Sequence, residues 1–350
     1  QSAGGVRGGQ QFAGPLRARA LVGGRWTLDG SGAFATSSAS VATADGTRTL
    51  SLSGLTDLKL RVTGTIIGDR VLVTAGINIP TGATGLNADQ TAVLQAIGAP
   101  ALHMPVSAMG LGTGGTFGLV VAKEAGPWAL AAGGSAEVRS EYTPIELALA
   151  DGNSLTKVAP GTALHLTVGA DRAMGDNRLS LVFVADRYTQ DRVTSTQSAG
   201  GTGDSRYTLG PQGTGIAQLA LALGGWREAN ANLAVRHRGA FTDASGAKID
   251  GSSGSYVEAS FGGVRGGPTG RGIIFGADVR YHSGFSFSDA LVAAATSAAG
   301  VTLGVELPYT STVLRLAMHA QYGHFDTGTA VSNGVGISLV GAIAARREVR

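Results

Sequence analysis

Acids and bases recur two residues apart in this chain: Asp57 with Lys59 and Arg61, Glu137 with Arg139, Arg236 with Arg238, Asp278 with Arg280. In an extended chain, residues i and i+2 share a face, so each set would present its charges on one side. Arg178, Glu258, Glu306 and Arg315 fall in the same phase relative to their apolar neighbours. Such groups could do one of two things. Lining a water-filled bore, they would set a transverse field and select permeants by charge and size. Paired with one another, they would hold a wall together. The sequence leaves both readings open. The expected positive wall is Arg61, Arg139, Arg236, Arg238, Arg280 and Arg315, opposed by Asp57, Glu137, Glu258, Asp278 and Glu306.

Other chemistry finds little support. There is no G-x-S-x-G, H-E-x-x-H or Walker sequence, and Gly4-Gly5-Val6-Arg7-Gly8-Gly9 lacks the strand–turn–helix setting of a nucleotide loop. His324 with Asp326 imitates a hydrolase pair only superficially, and the six histidines have no metal-ligand spacing. With no cysteine, neither disulfides nor thiolate metal sites can form. No catalytic residue, metal or cofactor is expected, and the chain reads as not an enzyme. Its net charge of +3 is scattered, with no basic stripe for nucleic acid.

The elements that must carry these residues alternate with period two. Leu164, Leu166 and Val168 face away from His165, Thr167 and Gly169, while Leu179, Leu181 and Phe183 face away from Arg178, Ser180 and Val182. Fourteen such segments are predicted, at 25–38, 53–66, 71–79, 108–122, 127–142, 161–173, 177–190, 213–226, 230–243, 255–266, 271–283, 299–308, 312–323 and 333–347. Short turn-like joints such as Gly126-Pro127, Gly175-Asp176 and Gly267-Pro268-Thr269-Gly270 alternate with long Ser/Thr/Gly/Asp-rich connections that read as irregular. Long/short alternation is the signature of an all-β, up-and-down antiparallel transmembrane β-barrel of about 14 strands (range 12–16), with long extracellular loops and short periplasmic turns. An even count puts both chain ends on the periplasmic side.

The apolar faces, such as Leu58, Leu60, Val62 and Ile66 or Leu314, Leu316 and Met318, carry no charge, and His237 is the one outward ionisable residue at mid-strand. A charge there would cost roughly 2–4 kcal/mol at the bilayer midplane, so lipid is the expected contact. A soluble β-sandwich would have to place that many ions on a solvent face and would leave the loop asymmetry without a cause. Trp26, Trp128 and Trp226 fall beside short-turn ends, and Phe34, Tyr142, Phe241, Tyr281 and Tyr322 towards long-loop ends, as two interfacial belts would require.

Glycine at 56 of 350 residues suits curved, crowded sheets. Residues 25–350 are assigned to the barrel. Residues 80–107 form its longest extracellular loop, in which Asn87 would cap a helix over 88–97 with Val93, Leu94 and Ile97 as an apolar stripe, ended by Gly98-Ala99-Pro100. Residues 1–24 are a periplasmic segment read as a tail, an extra strand or a plug; with no charged n-region, an exported chain would be the mature form with its signal peptide removed.

The stretch Gly54-Leu55-Thr56-Asp57-Leu58-Lys59-Leu60-Arg61, then Val73 to Gly82 ending Pro80-Thr81-Gly82, then Gly110-Leu111-Gly112-Thr113-Gly114-Gly115, resembles outer-membrane barrels of the phenol meta-cleavage pathway. These are similar in turn to the fourteen-stranded long-chain fatty-acid transporters. The likeness covers 54–142, and it implies uptake of small, often hydrophobic or aromatic molecules across the outer membrane. No fatty-acid transporter plug motif is recognisable in 1–24, and the chain ends Ala345-Arg346-Arg347-Glu348-Val349-Arg350 without a terminal aromatic. The expectation is therefore an outer-membrane channel contacting lipid and small solutes, with a homo-oligomer or surface partner left open. A barrel shut by its own salt bridges is the alternative.

Overall fold

Hydrocarbon offers no partner to a peptide group, so a chain with apolar alternation must close its backbone hydrogen bonds from strand to strand. The computed structural model describes all residues except 1–5, 44, 45, 69, 98–103, 150, 151, 198–200, 267–270, 289, 290, 294, 310, 311, 327–330 and 346–350. The expected turn at 267–270, the helix stop at Gly98-Ala99-Pro100 and the terminal residues 346–350 lie outside the described residues.

The chain runs through β1 (Val6–Val22), β2 (Trp26–Thr43), β3 (Gly46–Leu55), β4 (Leu58–Ile66), β5 (Val71–Ile79) and helix α1 (Ala88–Ile97). Then come β6 (Gly114–Ala125), β7 (Trp128–Arg139), β8 (Tyr142–Leu149), β9 (Gly152–Ala159), β10 (Ala163–Met174) and β11 (Asn177–Tyr188). They are followed by β12 (Gln190–Gln197), β13 (Thr202–Thr208), β14 (Gln212–Ala220), β15 (Trp226–Arg238), β16 (Thr242–Asp243) and β17 (Gly254–Arg265). The remainder is β18 (Gly272–His282), β19 (Phe285–Ser288), β20 (Leu291–Ala293), β21 (Ala295–Tyr309), β22 (Thr312–Asp326) and β23 (Val331–Ala345).

One 16-stranded antiparallel sheet takes these in chain order as β1-β2-β4-β5-β6-β7-β10-β11-β14-β15-β17-β18-β21-β22-β23, with β3 also paired to β2. Strands β3 and β4 act as one wall element broken at Thr56 and Asp57: β2 pairs Phe34 with Leu55 on one side of the break and Ser31 with Lys59 on the other. Each of the fourteen expected segments overlaps a strand of this sheet, but β1 adds another, so the count of fourteen is not reproduced. Strand β1 is joined to β2 through a tight turn, pairing Val22 with Trp26 and Val6 with Val41. It therefore begins at the long-connection end and runs the full height of the sheet. The expectation that 1–24 stays at the short-turn end is corrected accordingly, whereas β23 does finish there, with Ala345 beside Thr312. Strands β1 and β23 are the sheet's two edges, and no pairing joins them among the described residues.

The sheet curls. Arg315 on β22 reaches Glu228 on β15 at 3.0 Å, although three strands of the sheet lie between them. Four strand spacings on a flat sheet would separate the backbones by roughly 19 Å, beyond the joint reach of an arginine and a glutamate. The convex face carries the apolar residues: Leu166 is 58% exposed, Phe183 50%, and Phe117, Leu303, Leu316 and Met318 are likewise uncovered. The concave face carries the ions. Among the described residues no helix is long and apolar enough to cross a membrane.

A second sheet, ordered β16-β13-β12-β9-β8, continues the wall beyond the long-connection end. The connections around 143–160 and 191–212 were expected to be irregular, and they contribute most of these strands instead. Both faces of β9, β12 and β13 carry polar residues (Thr156 and Lys157, Thr194 and Ser195, Asp204 and Ser205), so no apolar alternation betrays them. The backbone ladders β9–β12 and β12–β13 form regardless.

Helix α1 forms where expected. Asn87 accepts the Gln90 amide at 2.9 Å and Gln90 returns a side-chain acceptor to the Asn87 amide at 3.0 Å, a reciprocal N-terminal cap. Val93 is wholly buried against Ala35 and Ala39 of β2 and Leu50 and Leu52 of β3, with Leu86, Val106 and Met109 completing a small apolar core. That core lies on the concave face, because Ala35 and Ala39 share the phase of Asp29 rather than that of exposed Leu28 and Phe34. The loop thus folds inward.

Candidate functional site on the concave face

The break between β3 and β4 aims Asp57 into the sheet interior, where the 80–107 loop returns over it. Its Oδ1 accepts the Gly82 amide at 2.9 Å; its Oδ2 accepts the Leu111 amide at 2.7 Å and the Asn78 side-chain amide at 2.8 Å. Its own amide donates to the Met109 carbonyl at 3.2 Å. A Cβ at Gly82 would collide with that carbonyl and with the Asp57 carboxylate, so only glycine lets the two chains meet here. Asp57 is 5% exposed. It is a latch that fixes both ends of the inward loop, closer to the bracing than to the lining role that the sequence leaves open. Gly54-to-Arg61, Pro80-Thr81-Gly82 and Gly110-Leu111-Gly112, far apart in sequence, meet at this carboxylate.

Most of the other expected lining charges are paired. Arg61 lies 3.6 Å from Asp29, Arg139 2.6 Å from Glu137, Arg178 2.7 Å from Asp171 and Arg280 2.8 Å from Asp278. Arg280 is buried and also donates to Gln321 at 2.7 Å across the intervening strand β21. Gly300 makes this possible, since a side chain there would occupy the space of His319 and Asp278. Towards the short-turn end, Glu306 is 2% exposed between Arg227 and Arg315, the latter 2.6 Å away, and Arg315 continues to Glu228. Arg280 and Glu306 are thus held in ion pairs within the wall, the bracing role that the sequence leaves open beside a lining one. Lys59 remains exposed on the same face.

Arg236 and Arg238 differ from these. Neither has a carboxylate partner among the described residues. Arg236 lies over the Tyr256 ring at 5.9 Å, and the Arg238 guanidinium packs against the neighbouring rings of Phe241 and Phe285 at 4.6 and 4.5 Å. Glu258, the acid nearest them, accepts the Tyr256 hydroxyl at 2.7 Å.

The belts stand in part. Trp26, Trp128 and Trp226 each open a strand just after a short connection, and Phe34, Tyr281 and Tyr322 are exposed on the convex face. Phe241 is 6% exposed and stacks on Tyr207, so it belongs to the interior rather than the lipid interface. The chain breaks step at Gly239, which turns Phe241 inward. Tyr142 opens β8 of the second sheet, half-buried against Gly112, and is no interface residue either. His237 meets Ser255 at 2.9 Å, and His324 meets Asn333 at 2.8 Å rather than forming the imagined pair with Asp326.

In the second sheet Asp191 is buried and accepts the Gly161 amide at 2.5 Å. Burial pushes its carboxyl above the usual range, against the opposing pull of the Gly161 amide, Arg139 and Tyr207; burial likewise pushes the Tyr207 hydroxyl up to about 12. A raised carboxyl binds more protons folded than unfolded between its ordinary and its folded pKa, so acidification through that window strengthens this sheet. Hydrogen-exchange protection of β12 and β13, corrected for intrinsic rates, is expected to rise from pH 7 to pH 4.5 more in the native chain than in Asp191→Asn. Equal responses would refute the assignment.

No protein family and no curated protein matches the chain. Among solved structures it resembles the loop L8 deletion mutant of OmpT, an outer membrane protein of Vibrio cholerae, at 13% identity and a TM-score of 0.39, over 98% of this chain and 100% of that one. It also resembles outer-membrane expressed OmpT of Vibrio cholerae, at 12% identity and a TM-score of 0.42, over 98% of each chain. The phenol-pathway and fatty-acid transporter families are not among these matches. The expectation that the chain is not an enzyme is corrected beside these neighbours, which lend that exclusion no support. It rested on missing linear motifs, whereas the sheet assembles groups no linear motif encodes, such as His165 and Asp186 at 2.7 Å. With apolar side chains turned outward, ions turned inward and backbone hydrogen bonds passed from strand to strand, the chain folds as a curled antiparallel sheet whose outer face suits lipid.

Proposed function

We propose that this protein is a passive channel for small molecules, which cross the outer membrane along the ionic concave face, with α1 narrowing the entrance at the long-loop end. The observation that carries the reading is the division of faces: Leu166, Phe183 and Leu316 uncovered outside, Arg236, Arg238 and the paired ions inside. Charges on a hydrated inner wall discriminate permeants by sign and size. The resemblance of 54–142 to phenol meta-pathway barrels points towards hydrophobic or aromatic solutes.

Single-channel recording of the purified, detergent-folded chain in planar bilayers is expected to show stepwise conductance, reduced by solutes that enter. The cross-strand network of Arg227, Glu306, Arg315 and Glu228 favours a second reading, a barrel braced shut and presenting its loops to surface partners. A folded protein that never conducts would decide for that reading.

A further inference from the structure

Every other expected wall arginine has a carboxylate within ion-pair distance, and Arg236 and Arg238 are the exceptions among the described residues. They stand two residues apart near the end of β15, so both project from the concave face on the side of the second sheet. A cavity of about 410 Å³ opens beside them, lined also by Gln212, Tyr256, Glu258, His282 and Phe285. That is within the size of pockets that hold small organic ligands, about 300–1,000 Å³.

The polar atoms are unevenly served. The Arg238 Nε is buried with no hydrogen-bond partner, though its guanidinium lies against two aromatic rings. Two arginines face one local acid, Glu258, which is already engaged by Tyr256. The next acid, Asp186, is taken by His165 at 2.7 Å and Gln212 at 2.8 Å. Positive charge therefore stays in excess at a wall that also offers flat apolar surface on Phe285 and Tyr256. A planar guanidinium matches a carboxylate, and adjacent rings match the body attached to it.

Resting on the channel reading above, we infer that this cavity is a selectivity site for a small aromatic carboxylate, held by Arg236 and Arg238 through its anionic group and by Phe285 and Tyr256 through its ring. An aromatic solute without charge would find the rings but leave the guanidinium groups unanswered. A simple anion would find the charge alone.

Benzoate, benzyl alcohol and chloride are suitable probes, titrated calorimetrically against the detergent-folded full chain at fixed ionic strength. Benzoate is expected to bind and benzyl alcohol to bind at least about tenfold more weakly, the worth of one charge-assisted contact. Arg238→Gln and, separately, Arg236→Gln should each weaken benzoate by about tenfold while leaving benzyl alcohol unchanged. Arg236→Gln leaves the packing of Arg238 on Phe241 and Phe285 untouched, so it keeps the test valid if Arg238→Gln fails to fold. Benzyl alcohol binding as tightly as benzoate, chloride competing at equal concentration, or both variants binding like the native chain would overturn the site. A protein that conducts in bilayers yet binds no benzoate would overturn the site and leave the channel standing. One that binds benzoate through both arginines but never conducts would uphold the site and remove the channel.

Discussion

Asp57→Ala is expected to free the 80–107 loop from the barrel interior while the transmembrane strands stay folded. The substitution deletes an acceptor for the Gly82 amide, the Leu111 amide and the Asn78 side chain, all partly buried. Hydrogen bonds to a charged group contribute about 1.5–3 kcal/mol each, and their losses at one site do not simply add, so roughly 3–5 kcal/mol of loop stability should go. Val93 and its apolar neighbours cannot hold α1 on their own at that deficit. The loop should become a site of proteinase cleavage in the folded protein, and unit conductance should rise. Asp57→Asn should also loosen the loop, because its new amide group would face the Gly82 donor in one orientation and the Leu111 and Asn78 donors in the other. A loop that stays protected from proteolysis in both variants would show that the apolar core, and not the carboxylate, retains it.

Glu306→Ala should have the second large effect, on the wall itself. Glu306 is nearly inaccessible and is shared by Arg227 and Arg315. Its removal leaves Arg227 without its carboxylate and Arg315 with only the more exposed Glu228. Breaking a buried ion pair by deleting one partner typically costs about 3–5 kcal/mol, since the remaining charge is left uncompensated. Denaturant unfolding in detergent should show that loss as a lower midpoint at unchanged slope. Glu306→Gln, which keeps two polar atoms in place, should lose less. A midpoint shifted by under about 1 kcal/mol would mean water enters freely and the region is no brace. Reversing Arg280 would probe folding in the same way rather than ion selectivity, because Asp278 and Gln321 hold it inside the wall.

The wall was legible because its two faces meet different media. Lipid forbids charge on one face and the interior tolerates it on the other, so Leu164-x-Leu166-x-Val168 announces both a strand and its orientation. Where both faces meet water that signal disappears, which is why β9, β12 and β13 read as loops. Phase also placed Asp57, Arg238 and Arg280 correctly on one face, but phase says nothing about what returns to cover them. Asp57 is capped by residues from 78 to 111, and Arg280 is matched across β21 by Gln321, contacts set by folding rather than by spacing. The same phase rule misplaced Phe241, because it assumes unbroken extension through Gly239 and Ala240. The helix was legible from its cap, since Asn87 and Gln90 are local partners.

The inward loop is fastened twice. Asp57 holds its two ends to the wall, while the Gly85 and Leu86 amides bond the Thr143 and Pro144 carbonyls at 2.6 and 2.9 Å, and Glu146 bonds back to Leu86. A segment anchored at one point swings like a door, whereas one suspended from two supports can only bow between them. Any widening of the entrance at α1 must then drag the rim formed by β8 along with it, so mouth and rim should respond to a passing solute as a single mechanical body.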